Sequence, residues 1–182
     1  MQTIGVDDRV RRSVGRAPRA LLGALTALMA VTGVTPARVT AQAGGRFAVR
    51  FPASLNAAPI TGRLFVALYQ RNDVEPRIAA YQSARTRIGR VPFFAIDVEQ
   101  QAPGTWAMLN DNAVGYPYWS IRDIPPGDYY AQAVLNVYTR FARADGHTIW
   151  AHQDQWEGQR WAFSPGNLIS TPVKVRVDPT RG

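Results

Sequence analysis

The residues of this chain best suited to chemistry crowd into one stretch, Asp145-Gly-His-Thr-Ile-Trp-Ala-His-Gln-Asp-Gln-Trp-Glu-Gly-Gln-Arg-Trp-Ala-Phe-Ser-Pro-Gly-Asn-Leu168. It holds Trp150, Trp156 and Trp161, both histidines (His147 and His152), and the acids Asp145, Asp154 and Glu157. Tryptophan amid amides and carboxylates is how proteins hold sugars: the apolar ring faces stack on indole while hydroxyls find fixed polar partners. The plainer alternative is that these aromatics cover the open side of a small β-domain. A metal is a third use, with two histidines and a carboxylate converging through a loop. The spacing argues against it. His147 and His152 are five apart, which fails the helical i, i+4 pairing and puts them on opposite faces of a strand, whereas His152 and Asp154 share a face. Asp145, Asp154 and Glu157 lack the ordered spacing of a calcium loop. No metal or other cofactor is therefore expected.

Catalytic patterns are weaker still. There is no Gly-x-Ser-x-Gly elbow and no His-Glu-x-x-His. Ser164 is near the histidines in sequence but belongs to a Ser-Pro-Gly turn. Asp154 and Glu157, three apart on one segment, are poorly placed to face each other across a cleft as a glycosidase pair must. No catalytic residue is assigned.

The rest of the chain bounds what could position these residues. At 182 residues it fits one domain plus a targeting segment, and with no cysteine it has neither a disulfide scaffold nor a thiol nucleophile. Arg9, Arg11, Arg12, Arg16 and Arg19 precede an apolar run, Ala20–Val34, and Ala41-Gln-Ala43 supplies small residues for a cut after Ala43. That is the pattern of a secretory signal peptide over 1–43, leaving a domain over 44–182 that is secreted or periplasmic and free of the membrane once cut. The leader carries six arginines and two aspartates, so half of the formal +8 leaves with it. Of the remaining arginines only Arg85, Arg87 and Arg90 cluster. Without a basic stripe interleaved with aromatics, nucleic acid is not an expected partner, and the cluster reads as a solvated loop that an anionic polysaccharide or lipid head group could touch.

The remaining sequence reads as strands. Arg46–Phe51 alternates, Thr61–Tyr69 is apolar on both faces as in a covered central strand, and Val91–Glu99 and Gly104–Leu109 are short β-rich runs. After the turn Ile124-Pro-Pro-Gly127, residues Asp128–Tyr138 put Tyr129, Ala131, Ala133, Leu135 and Val137 on one face. Val173–Val177 alternates again, and Asp178-Pro-Thr-Arg-Gly182 leads on like a turn toward another strand, which predicts an incompletely paired edge there. No window shows a convincing helical stripe; Ile78–Ile88 could give a turn or two. The expectation is an all-β, immunoglobulin-like or transthyretin-like antiparallel β-sandwich.

Ile124-Pro-Pro-Gly-Asp-Tyr-Tyr-Ala-Gln-Ala resembles the Leu-Pro-x-Gly-x-Tyr corner of such sandwiches. Four stretches go further: Phe51-Pro-Ala-Ser with Pro59–Leu68, Pro92–Val98, Asp128–Ala133 and Asp145–Leu168. They resemble the N-terminal β-domain of secreted bacterial esterases, where it precedes an α/β-hydrolase unit of the enterochelin-esterase type. The resemblance implies a non-catalytic accessory or interaction module with a hydrolase-domain partner, either alone or as part of a truncated esterase. No triad residue carries over, because no position here corresponds to one. The alternative is a carbohydrate- or small-ligand-binding module using segment 145–168.

Overall fold

The structure is a computed structural model that describes residues 38–42, 45–154, 156, 158 and 160–179. Among the described residues ten strands form antiparallel sheets, the larger curled into a half-barrel, accompanied by one short α-helix. In chain order the elements are β1 (Arg38–Gln42), β2 (Arg46–Arg50), β3 (Ile60–Tyr69), α1 (Pro76–Thr86), β4 (Phe93–Gln101), β5 (Ala107–Leu109), β6 (Val114–Tyr116), β7 (Gly127–Ala142), β8 (Thr148–His152), β9 (Leu168–Ile169) and β10 (Val173–Val177). The expected leader lies largely outside the described residues; 38–42, just before the expected cut, form β1 against β2.

The large sheet runs β10-β7-β3-β4-β6, and β8 and β9 continue the β10 side of the long β7. The small sheet is β1-β2-β5. The doubly apolar sequence of β3 is satisfied because both faces of the sheet are covered. Leu64, Val66 and Leu68 join Phe47, Phe94, Leu109, Tyr129 and Leu135 in the main core, while Phe65 faces the other way with Ala95, Val134 and Phe93. β7 divides its side chains in the expected period of two. Tyr129, Ala131, Ala133 and Leu135 enter the main core, and Gln132 and Val134 are buried on the opposite face. β3 and β7 approach so closely at Gly62 that a Cβ there would collide with the Asn136 carbonyl. Among the described residues β10 hydrogen-bonds β7 alone and forms the outer lane of its sheet.

Helix α1 is the departure from expectation. Pro76 starts it, needing no N–H donor at the first helical position, and Arg87 ends it in the left-handed conformation with its N–H donated to the Ser83 carbonyl, 2.9 Å. Its buried positions, Pro76, Ala79, Ala80 and Ser83, recur at three and four. All four are small, so a search for large apolar side chains passes over them, yet small residues are what lets a helix lie close on a sheet.

A polar network pins α1 at its N-terminus. Gln132, 1% exposed, accepts from the Arg77 backbone N–H (3.1 Å) and donates to the Glu75 carboxylate (2.7 Å) and the Ser170 carbonyl (2.9 Å). Arg77 in turn pairs with Glu75 at 2.8 Å and donates to the Ala162 carbonyl. One buried amide thus joins α1, β7 and the segment after Trp161. The hydrogen bonds from Arg77 and then Gln132 hold the Glu75 carboxyl below the usual carboxylate range.

Candidate functional site

The fold disperses the aromatic segment. Trp150 is on β8 opposite Arg140, in a hairpin whose outer residues, Thr139 to Trp150, are exposed. His147 projects from the hairpin turn, 81% of its side chain exposed, beside Asp145. His152 is buried at the base of the same hairpin, opposite Tyr138. Asp154 folds back on its own loop, accepting from the backbone N–H groups of Trp156 (2.8 Å) and Gly158 (3.2 Å), and Trp156 stands fully in solvent. Glu157 lies outside the described residues.

Trp161 has a different place. Its ring stacks on Phe65 with centroids 4.4 Å apart and planes 13° apart, with Phe93 at 5.4 Å and the edge of Tyr81 at 6.3 Å. It covers the helix-side face of the large sheet. The three tryptophans therefore occupy three environments: hairpin arm, exposed loop and core cover. Among the described residues, no group of three or more His, Asp or Glu side chains is arranged to hold a metal ion.

A cleft of about 850 Å³ opens elsewhere, between α1, the end of β3 and the loops around residues 88–92 and 118–125. Its volume is that of a small-molecule pocket. Apolar walls come from Leu68, Val74, Ala79, Ile88, Pro92 and Pro125, with Tyr69, Tyr118 and Tyr129 among them and Arg71 and Arg90 at its margin. A second void, between β2, β5 and the large sheet, holds only about 20 Å³ and is lined mainly by apolar side chains such as Phe51, Leu64 and Val98. It is a packing gap too small for a ligand.

Local sequence explains how the cleft is built. Ser83, on the last turn of α1 and 3% exposed, donates to the Gly89 carbonyl (2.7 Å) and accepts from the Val91 N–H (3.3 Å). The Pro92 carbonyl accepts from the Leu68 N–H at 2.9 Å. The loop carrying Arg90 is thus fastened to both the helix and β3, and the guanidinium lies over the Tyr118 ring, 5.5 Å from its centroid. Tyr118 is brought near by Gly115, where a Cβ would strike the Phe94 ring and the Tyr118 carbonyl. Tyr129 buries its ring in the core and donates its hydroxyl to the Pro125 carbonyl at 2.9 Å, four residues back; burial pushes its phenol up.

The cleft's hydroxyls are largely occupied: Thr86 donates to the Gln82 carbonyl (2.9 Å), and the Tyr69 hydroxyl accepts from Arg71 Nε (2.9 Å). Among the described residues no histidine, aspartate or glutamate lines it. Ser164, the serine closest to the histidines in sequence, is 3% exposed and donates to the Arg160 carbonyl at 3.0 Å. The residues that sequence reading missed, Tyr69, Arg71, Ser83, Arg90 and Tyr118, span 50 positions. Of their signals only the Arg85–Arg90 cluster stood out. Comparison of the chain with family models, curated proteins and solved structures finds no match.

Proposed function

We propose that this chain is an exported, non-catalytic, immunoglobulin-like β-sandwich module that works by binding, an accessory or interaction domain related to the N-terminal domain of secreted esterases. The carrying observation is the chemistry of the large cleft. It offers rings, guanidiniums and an apolar floor, but among the described residues its one serine is buried and doubly hydrogen-bonded, with no acid or imidazole in the lining to activate a nucleophile. The hydroxyl of Tyr129, returned to the backbone four residues upstream, is the bond of a tyrosine corner and supports the sandwich assignment. The basic-then-apolar N-terminus supports export to a secreted or periplasmic location. The test is a hydrolysis assay with p-nitrophenyl acetate and butyrate. No turnover above the buffer rate is expected; turnover abolished by Ser164→Ala or Ser83→Ala would overturn the non-catalytic reading.

A second reading, a glycan platform, keeps Trp150 and Trp156, because both present exposed indoles on one hairpin and the loop after it. Trp161 falls out of that platform, its ring being spent on Phe65 and Phe93. Titration with cell-wall and plant glycans, read by tryptophan fluorescence, separates the readings. A saturable change lost in Trp156→Ala favours the platform, and an unchanged spectrum for every glycan rejects it.

A further inference from the structure

We propose that the cleft beside α1 binds a small amphipathic monocarboxylate, its anionic end on Arg90 and its hydrocarbon body along the apolar walls. This rests on the reading of the chain as a binding module and names what is bound.

Charge comes first. Among the described residues two guanidiniums line the cleft and no carboxylate does. Arg71 is already matched, by Asp73 at 3.0 Å and the Tyr69 hydroxyl at 2.9 Å. Among the described residues no acid pairs with Arg90, nor with the nearby Arg85 or Arg87, so the local field is positive with one unmatched cation at the margin of the cleft. One unmatched guanidinium calls for one anionic group.

Presentation comes second. Arg90 is exposed, its guanidinium carbon 5.5 Å from the Tyr118 ring centroid, and a guanidinium reachable from solvent can take a carboxylate by two parallel hydrogen bonds. The Ser83 and Leu68 bonds hold its loop in advance, so little ordering remains to be done on binding.

The walls decide the rest of the molecule. Val74 and Pro125 give exposed hydrocarbon surface over a floor of buried Leu68, Ala79 and Pro92, and Ile88 on the rim is 77% exposed, an apolar side chain left in water at the mouth of a charged cleft. Gln70 and Gln82 are the lining amides that could pair a sugar acid's hydroxyls; hydroxyls set against the apolar walls would stay unpaired, whereas an aliphatic or phenyl body covers those walls. The volume suits a small molecule rather than a polymer.

Calorimetric titration of the full chain with octanoate, 3-phenylpropionate, galacturonate and the neutral octanamide tests this. Octanoate and 3-phenylpropionate are expected to bind, with octanamide about tenfold weaker, since a charge-assisted pair contributes at that level. Arg90→Gln should lower octanoate affinity about tenfold and leave octanamide unchanged, while Arg140→Gln, on the exposed β7–β8 hairpin and not among the cleft's lining residues, should change neither; melts of both variants check that they fold. Equal affinity for octanoate and octanamide, no effect of Arg90→Gln, tighter binding of galacturonate, or no heat with any carboxylate would each overturn the proposal. Failure of the non-catalytic reading would show instead in the ester assay, which uses none of these ligands.

Discussion

Segment 145–168 and the cleft beside α1 invert each other. The first is dense in chemistry-bearing residues along the chain, and the fold pulls them apart: Trp150 to a hairpin, Trp156 to solvent, Trp161 under the helix. The second is drawn from ordinary residues between Leu68 and Tyr129, and the fold brings them to one concave place. Proximity in sequence measured neither proximity in space nor exposure. What decided both was the topology of β3 and β7, whose neighbours on the helix side share one end of the sheet.

The sharpest way to break this contrast is to remove the tryptophans singly. Trp161→Ala should cost about 3 kcal/mol in denaturant unfolding, near the low end for a core aromatic because the ring is only half-buried. Trp156→Ala should stay within about 0.5 kcal/mol. Equal losses would mean that the two indoles are not differently used.

Gln132→Ala tests the joint between the regions, because that amide ties α1 to β7 and to the Ser170 carbonyl. Removing it leaves buried partners unpaired, and about 2 kcal/mol should be lost. A loss below about 0.5 kcal/mol would show that the network does not hold the helix.

A pH series sharpens the same joint. Glu75 is held below its ordinary range by Arg77 and Gln132, so its carboxylate stabilises the fold above the unfolded carboxylate value, and that stabilisation is lost as pH falls through the lowered folded value. The side chain is 43% exposed, which limits the effect to under about 1 kcal/mol. The melting difference between the native chain and Glu75→Gln should be full at neutral pH and vanish in acid; a constant difference would contradict it.

The smallest effect concerns the N-terminal edge. Export with a cut after Ala43 predicts a secreted chain beginning at Gly44, which releases β1 and opens the outer side of β2. Intact mass decides it, and a chain still carrying residues 38–42 would place the cut earlier.

Much of the strand placement along the chain was legible. Arg46–Arg50, the first part of β7 and Val173–Val177 lie where alternation puts them, since the side-chain period is two, and Ile60–Tyr69 lies where the doubly apolar run Thr61–Tyr69 puts it. The double coverage of β3 was readable because both of its faces are apolar. Helix α1 was not, since Pro76, Ala79, Ala80 and Ser83 mark its buried stripe by smallness. β8 was hidden because Thr148–Trp150 pairs in a hairpin with no buried face to give alternation away. The cleft was invisible for a further reason: Ser83 holds Arg90 through a hydrogen bond to Gly89, and Gly115 makes room beside Tyr118, both relations of the fold. The Arg85–Arg90 cluster was the one visible trace, and read alone it looked like a solvated loop.

The central claim is that binding belongs to the cleft beside α1 and not to the tryptophan-rich segment. Its most direct test is amide chemical-shift mapping on the isotope-labelled full chain titrated with octanoate. The account predicts saturable shifts gathered at residues 68–71, 82–92 and 118–129, absent in Arg90→Gln. Shifts gathered instead at residues 148–163, or shifts that survive Arg90→Gln unchanged, would contradict it.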